Sequence, residues 1–146
     1  MARTRIVGTV EEAIAIEERL LGRKLPLSFK LWLLENNGLE LDYIHIYPVR
    51  DERDTRKTWE SLAYNLNNEW AEWTSSFSNE LFRHLLPFAD FRTGDFFCFD
   101  YSVNEMPGEW PVVLWSHESG KTQFYASDFN AWKSKILDEA SGYKPK

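Results

Sequence analysis

The chain has 146 residues, of which 43% are hydrophobic and 27% are charged, and this balance excludes an intrinsically disordered protein. Its net charge of −6 disfavours nucleic-acid binding, and no apolar run approaches the roughly 20 residues of a membrane helix. The single cysteine, Cys98, rules out an internal disulfide, and the start of the chain lacks the apolar stretch of a signal peptide, so we expect one cytoplasmic domain.

The first predicted element is a helix that begins after Thr9 and ends at Gly22. Thr9 and Glu12 have the spacing of a capping box, in which each side chain accepts a hydrogen bond from the other residue's backbone N–H. Apolar residues then recur at the helical period, and Glu17 alone interrupts this stripe. Gly22 suits the left-handed position that ends a helix.

A second helix is predicted to begin at Pro26, because proline fits the first helical position. Phe29 and Leu33, with Trp32 beside them, are predicted to face inward. The sequence Asn36–Gly38 is predicted to end this helix in left-handed geometry.

The next part of the chain predicts strand, loop and helix in turn. Leu39–Val49 predicts one or two strands, and Asp51–Lys57 predicts a charged loop. A third helix is predicted from Thr58, because apolar residues recur there at helical spacing. Its inward stripe comprises Trp59, Leu62, Ala63, Leu66, Trp70 and Trp73. Ser78 is predicted to cap a short turn that follows.

The spacing of the apolar residues then changes to the period of two that is typical of strands. The predicted strands are Leu86–Asp90, Asp95–Tyr101, Val112–Trp115 and Thr122–Ala126. Gly120 supplies the hairpin loop before the last strand, and Ser127 is predicted to cap a final helix. Helices, a meander and a closing helix in this order predict an α+β domain.

Asp95 and Asp100 bracket an aromatic strand and invite a catalytic interpretation. Alternate residues of a strand share a face, so these two carboxylates are predicted to point in opposite directions and not to form a dyad. Cys98 lies in mid-strand among phenylalanines, where it is predicted to be a small buried hydrophobe and not a nucleophile. The sequence contains neither a nucleophile elbow nor a glycine-rich phosphate loop.

A metal site formed by Asp90, Asp100 and His117 is an alternative, since these residue types bind hard or borderline cations. Their spacing matches no metal-binding motif. The structural alternative is that Asp100 accepts backbone N–H groups from the loop that follows its strand.

The central part of the chain is strongly acidic. Ten acidic residues and two basic residues lie between Thr58 and Gly120. Such a belt repels phosphate backbones and can steer a basic protein towards it, although a solubilising surface explains it equally well. Trp110 lies in an acidic loop and is interpreted either as an exposed anchor for a partner or as a ring that folds back over the sheet.

Several segments, taken together, resemble the SUKH superfamily, also called the Smi/Knr-type domain. Ile14–Gly38 is similar to its opening, with an acidic first helix, a Leu-Pro pair and a helix that ends in Asn-Gly. Leu85–Ser102 contains "PFA…GD…FD", and Pro111–Lys121 contains a hydrophobic strand that runs into "W-x-H-x-x-G". The segment SDFNAWKSKIL is similar to the closing helix of the family.

The resemblance implies one domain over residues 1–146, with helices packed on a mixed, largely antiparallel sheet of about five or six strands. It implies fold-setting roles, and no catalytic or cofactor-binding ones, for the residues that match its motifs. These are Pro26, Gly38, Gly94, Asp95, Asp100 and Trp115, together with His117.

The resemblance also implies a protein-binding role without catalysis. Many bacterial members resemble immunity proteins that neutralise a cognate toxin, often a nuclease, and fungal relatives are regulators that act as interaction hubs. We therefore expect a monomeric partner-binding protein that uses its acidic surface, with a general scaffold as one alternative and a small metal-dependent hydrolase as another. The residues predicted to contact the partner are Glu69, Glu72, Glu105, Glu109, Trp110, His117 and Glu118.

Overall fold

The computed structural model describes residues 7–41, 44–77, 82–91, 93–103 and 106–142. Within them, five strands form one antiparallel sheet in the order β1-β2-β3-β4-β5. The strands are β1 (His45–Ile46), β2 (Leu85–Asp90), β3 (Phe96–Asp100), β4 (Val112–Trp115) and β5 (Thr122–Ala126). This arrangement confirms the predicted α+β class, and every strand pairing in the described residues is antiparallel.

Helices precede, interrupt and follow this meander. They are α1 (Glu11–Leu21), α2 (Leu27–Asn36), a 3-10 turn (Glu52–Asp54), α3 (Thr55–Thr58), α4 (Leu62–Asn67), α5 (Glu69–Thr74) and α6 (Phe129–Gly142). Among the described helices, none is both long enough and apolar enough to cross a bilayer.

One face of the sheet packs against α2 and α6. The ring of Phe99 lies 5.4 Å from that of Phe29 in α2, and the ring of Phe97 lies 5.3 Å from that of Trp132 in α6. Phe88 of the neighbouring strand stacks on Phe99 at 4.1 Å. These rings are fully buried and form an aromatic layer of the hydrophobic core.

The opposite face of the sheet packs against α5. Trp70 of that helix meets Phe96 at 5.3 Å and Trp115 at 4.9 Å, measured between ring centroids. Phe96 and Phe97 are consecutive residues that contact different layers, as the alternation of a strand requires. The sheet is therefore the middle layer of three. Its central strands are covered on both faces, whereas Phe124 in the edge strand β5 is 65% exposed.

The predicted capping box is wrong. The helix α1 begins at Glu11 after Val10, and no side chain of the described residues caps its first turn. The Thr9 hydroxyl donates instead to the carboxylate of Asp51, 2.7 Å away. The hydroxyl that local spacing predicts as the helix cap is therefore bonded to Asp51, which is distant in the sequence.

The predicted third helix is also wrong. Its stripe is divided between α4 and α5, and the backbone breaks at Asn68 with φ −122° and ψ −82°. Trp70 turns inward, whereas Trp59 and Trp73 are exposed and do not belong to the core. The break rotates the second half of the stripe, so rings that would share one face of a continuous helix diverge.

Several smaller boundaries differ from the prediction. The described residues of Leu39–Val49 contribute the short strand β1 and an isolated bridge between Leu41 and Ile44. The predicted charged loop forms the 3-10 turn and α3. Pro26 precedes the first residue of α2, and the side chain of Asp128, not that of Ser127, accepts the backbone N–H of Ala131 at the start of α6. The cap predicted at Ser78 lies outside the described residues.

Candidate functional site

Asp95 fastens the loop between β4 and β5 to the start of β3. Its Oδ1 accepts the backbone N–H of His117 at 3.0 Å and lies 2.7 Å from Nδ1 of the same histidine. On its other side the imidazole meets the Trp73 ring at 5.0 Å. His117 is therefore engaged by two neighbours and holds α5 against the strand ends.

Asp100 has the structural role that the sequence offered as an alternative to metal binding. Its Oδ1 accepts the backbone N–H of Ser102 at 2.9 Å and the Ser102 hydroxyl at 2.6 Å. The His84 ring lies 4.0 Å away on the other side. The carboxylate thus closes the turn that follows β3, as an Asx turn does.

The three residues of the proposed metal site do not converge. Asp90 accepts a hydrogen bond from the hydroxyl of Tyr47 and pairs in the sheet with Phe96, at the start of β3. Asp100 is at the other end of that strand, about 14 Å further along at the usual rise per residue. No group of three potential metal ligands is found among the residues that the structure describes.

Cys98 is fully buried in the middle of β3. Burial, and then the charge of Asp100, raise the pKa of its thiol well above the ordinary value. A buried and protonated thiol is a poor nucleophile, which agrees with the prediction of a packing role.

Besides His117, two residues of the predicted partner-binding set are turned towards the protein itself. The Trp110 ring is partly buried and packs on Tyr101 at 4.4 Å, which favours the interpretation that it folds back. The carboxylate of Glu109 accepts the backbone N–H and the hydroxyl of Ser28, at 2.8 Å and 2.7 Å. Glu105 lies outside the described residues.

The other predicted acidic residues are exposed. Glu69 and Glu72 lie on α5, and Glu118 lies in the loop that His117 joins to the same helix. Trp73 is exposed between them. We call Glu69, Glu72, Trp73 and Glu118 the acidic face.

Beside this face, a cleft of about 340 Å³ opens between α4–α5 and the ends of β1, β2 and β3. It is lined by His45, Glu60, Asn65, Glu69, Trp73, Asp90, Gly94 and Phe96. Burial and the neighbouring Asp90 carboxylate raise the pKa of Tyr47, so its phenol remains protonated and donates to that carboxylate. Sequence reasoning missed this cleft, because its residues come from parts of the chain as far apart as His45 and Phe96.

Gly94 and Trp115 set the local geometry on which this region depends. Gly94 has φ +97°, and a Cβ at this position would lie 2.8 Å from the Trp73 ring. Trp115 is fully buried beneath α5. Gly38, after α2, also has a left-handed backbone, with φ +86°. These glycines occupy conformations that other residues adopt only with strain.

A family model matches most of the chain, including these residues. The model SUKH_6, described as SMI1-KNR4 cell-wall, covers residues 11–132. The chain belongs to the SUKH family. A search among curated proteins finds no match. The matched region includes the Asp95–His117 contact, the cleft and the acidic face.

Two buried glutamates of this SUKH domain were missed by sequence reasoning. Glu17 is 1% exposed, and its carboxylate accepts the backbone N–H groups of Ala63 at 2.8 Å and Arg50 at 3.1 Å. Glu18 accepts the backbone N–H of Leu25 at 2.7 Å. Glu17 therefore joins α1 to α4, and its interruption of the apolar stripe is the only local signal of this role.

Asp51 is a third buried carboxylate of the domain. It is 3% exposed, and it accepts the backbone N–H of Arg53 at 2.9 Å, the guanidinium of the same residue at 2.7 Å and the Thr9 hydroxyl at 2.7 Å. The Arg53 hydrogen bond is the main reason why the pKa of Asp51 falls to about 2. This cluster is structural, since each acceptor oxygen is used within the protein.

Proposed function

We propose that this SUKH domain is a non-catalytic protein-binding module, and that it acts as an immunity protein which neutralises a cognate toxin by covering it. The acidic face carries this proposal. Glu69, Glu72 and Glu118 present exposed carboxylates around an exposed tryptophan. Charged rims steer association and aromatic rings anchor it, so the face has the composition of a docking surface.

The charge of the face indicates what kind of partner it favours. A toxin that acts on nucleic acid carries a basic surface, which an acidic partner attracts and occludes. We propose a toxin of this class, encoded nearby, which the domain meets as a monomer in the cytoplasm. The domain itself is proposed to bind neither nucleic acid nor a membrane.

The first experiment is co-expression of the chain with the product of the adjacent reading frame. Growth that is arrested by the neighbour alone and restored by co-expression supports the proposal. If the neighbour is harmless, or if toxicity persists in the presence of the folded chain, an immunity role is ruled out.

Association kinetics then test the acidic face. The double variant Glu72→Lys/Glu118→Lys is expected to lower the association rate constant about tenfold at low salt, because steering is lost. A matched control, Glu35→Lys/Asp138→Lys, has the same change in net charge on α2 and α6, which lie across the sheet. Equal effects of the two double variants would mean that net charge, and not this face, controls association.

A general scaffold of the Smi/Knr type is the second candidate function, and the description of the matched family, which refers to the cell wall and not to toxins, favours it. Under this alternative the neighbour is not toxic, yet the acidic face still binds a protein. Affinity capture with the wild type and with Glu72→Lys/Glu118→Lys tests it, since a specific partner should be retained by the former only.

A further inference from the structure

A pocket of about 230 Å³ opens between α4–α5 and the start of β2, and we call it the Arg23 pocket. Its charged residues are Arg23 and Arg83, and none of the described residues that line it is acidic. In a chain with a net charge of −6, this lining favours an apolar ligand whose charged group is an anion. The wall itself is largely apolar and comprises Leu66, Trp70, Ala71, Phe82, Leu85 and Leu86.

Arg23 carries a partly buried positive charge at the wall of this pocket. Its Nη2 donates to the backbone carbonyl of Arg83 at 2.8 Å, and its Cζ lies 4.6 Å from the centre of the Tyr101 ring. Neither group is an anion, and no carboxylate of the described residues forms an ion pair with Arg23. Removal of a charge from water without a counter-ion is unfavourable, so an anionic ligand beside Arg23 would stabilise the folded protein.

The second nitrogen of this guanidinium, Nη1, is an independent sign of a missing acceptor. It is buried, and within the described residues no group accepts a hydrogen bond from it. The Tyr101 ring attracts the charge, but an aromatic face is a much weaker acceptor than an oxygen lone pair. Nη1 shares its carbon with Nη2, which is bonded to Arg83 in the lining of the pocket. A buried donor without an acceptor is unfavourable, and a carboxylate could accept from Nη1 and Nη2 together in the bidentate geometry.

We propose that the Arg23 pocket binds a small apolar carboxylate. The carboxylate accepts from the guanidinium of Arg23, and the apolar group packs against Trp70 and Phe82. Drug-sized ligands occupy pockets of about 300–1,000 Å³, so a volume of about 230 Å³ suits an apolar group the size of one large side chain. A small organic acid and the C-terminal apolar residue of a polypeptide share this chemistry. The inference goes beyond the proposed function and does not depend on it.

The test titrates 3-phenylpropanoate into the ¹⁵N-labelled chain and follows the resonances of the Trp70 indole N–H and the Arg23 Nε–H. We expect saturable shifts of both signals at millimolar probe. The amide 3-phenylpropanamide has the same shape without the charge, and it should bind about tenfold more weakly, because hydrogen bonds between charged groups are the stronger ones. The amine 3-phenylpropylamine should not bind, because its charge has the same sign as that of Arg23.

A peptide probe separates the two sources of the ligand. Acetyl-Gly-Gly-Phe has the same ring and carboxylate at the end of a chain. If it binds more tightly than 3-phenylpropanoate, the pocket is a site for a C-terminus. If it binds more weakly, the pocket is a site for a small organic acid, and both results support an apolar carboxylate.

Variants localise the binding of 3-phenylpropanoate. Arg23→Gln should weaken it about tenfold, since the variant removes the charge and the Nη1 donor. Arg19→Gln is the matched control, because Arg19 is exposed on α1 and does not line the pocket, and it should leave the affinity unchanged. Ala71→Trp keeps the guanidinium and fills the pocket from an exposed position of its lining, so it should also abolish binding. This second variant keeps the test valid if Arg23→Gln does not fold.

Three results would overturn the proposal. They are the absence of saturable shifts with 3-phenylpropanoate, equal affinities for this acid and its amide, and equal effects of Arg23→Gln and Arg19→Gln. No partner protein takes part in these titrations, so their outcome is independent of the co-expression experiment. A harmless neighbour would end the immunity proposal and leave the Arg23 pocket a carboxylate site, whereas failure of the titration would leave the immunity proposal unchanged.

Discussion

Replacement of Asp51 by asparagine tests whether this buried carboxylate stabilises the fold through its charge. The variant Asp51→Asn keeps the shape of the side chain but cannot form the ion pair with Arg53. The pKa of Asp51 lies at about 2 in the folded protein and at 3.8 ordinarily. At about 1.4 kcal/mol per pKa unit this difference corresponds to at most about 2.4 kcal/mol. Because the Arg53 side chain is half-exposed, solvent screening reduces the expected contribution to about 1 kcal/mol.

The pH dependence follows from the direction of the shift. Above the ordinary pKa, the carboxyl group is ionised in both the folded and the unfolded chain, and its full contribution is present. As the pH falls below 3.8, the unfolded chain takes up the proton first, and the contribution is lost until the folded pKa is reached. The difference in unfolding free energy between wild type and Asp51→Asn should therefore be constant near neutral pH and shrink by about 1 kcal/mol towards pH 2.

Urea denaturation, followed by tryptophan fluorescence over this pH range, measures the difference. Glu52→Gln is the control, because Glu52 is a neighbouring exposed acid whose ion pair with Arg50 lies at the surface. If the difference for Asp51→Asn does not change with pH, or grows in acid, the charge of Asp51 is not what stabilises this turn.

Three further variants or probes test the packing. Glu17→Ala should lower the unfolding free energy by about 3 kcal/mol, since two buried N–H groups lose their acceptor, whereas Glu12→Ala on the exposed side of the same helix should change it by less than about 0.5 kcal/mol. Gly94→Ala should lower the free energy of unfolding, measured by urea titration, more than Gly22→Ala does. Both glycines have positive φ, but only Gly94 has a neighbouring ring within 3 Å of an added Cβ. Cys98 should resist a thiol reagent in the native protein and react in urea, and reaction of the native protein would show that the sheet opens.

The strands after residue 85 could be predicted because their signals are local. Val112–Trp115 and Thr122–Ala126 have the predicted bounds, and Gly120 has the positive φ expected in the hairpin between them. In each case alternating side chains and a turn residue lie within a few positions of one another, so no distant contact was needed to choose the structure.

The errors share one physical cause. Thr9 was assigned to a helix cap, but its partner Asp51 is 42 positions away in the sequence. The tryptophan spacing of α4 and α5 predicts one continuous helix, whereas the backbone breaks at Asn68 and Trp70, but not Trp73, is buried beneath the sheet. Helical periodicity cannot distinguish these outcomes, because it contains no information about the surface against which a helix packs.

The candidate site was predicted in part. The sequence predicts that Glu69, Glu72 and Glu118 contact a partner. All three are exposed, and the contact itself stays a prediction. It did not distinguish them from Glu109, which is held by Ser28 in another part of the chain. The cleft was beyond prediction, because the residues that line it come together only in the folded chain.

The middle position of the sheet has a consequence for how such domains diversify. With both faces of the central strands covered, another molecule can touch the outer helices, the loops and the edge strand β5, but not the buried aromatic rings between the layers. Substitutions at exposed positions on α5 should therefore change the free energy of unfolding little, while substitutions in the interior lower it strongly. The outer layer can therefore vary in sequence while the architecture stays as it is.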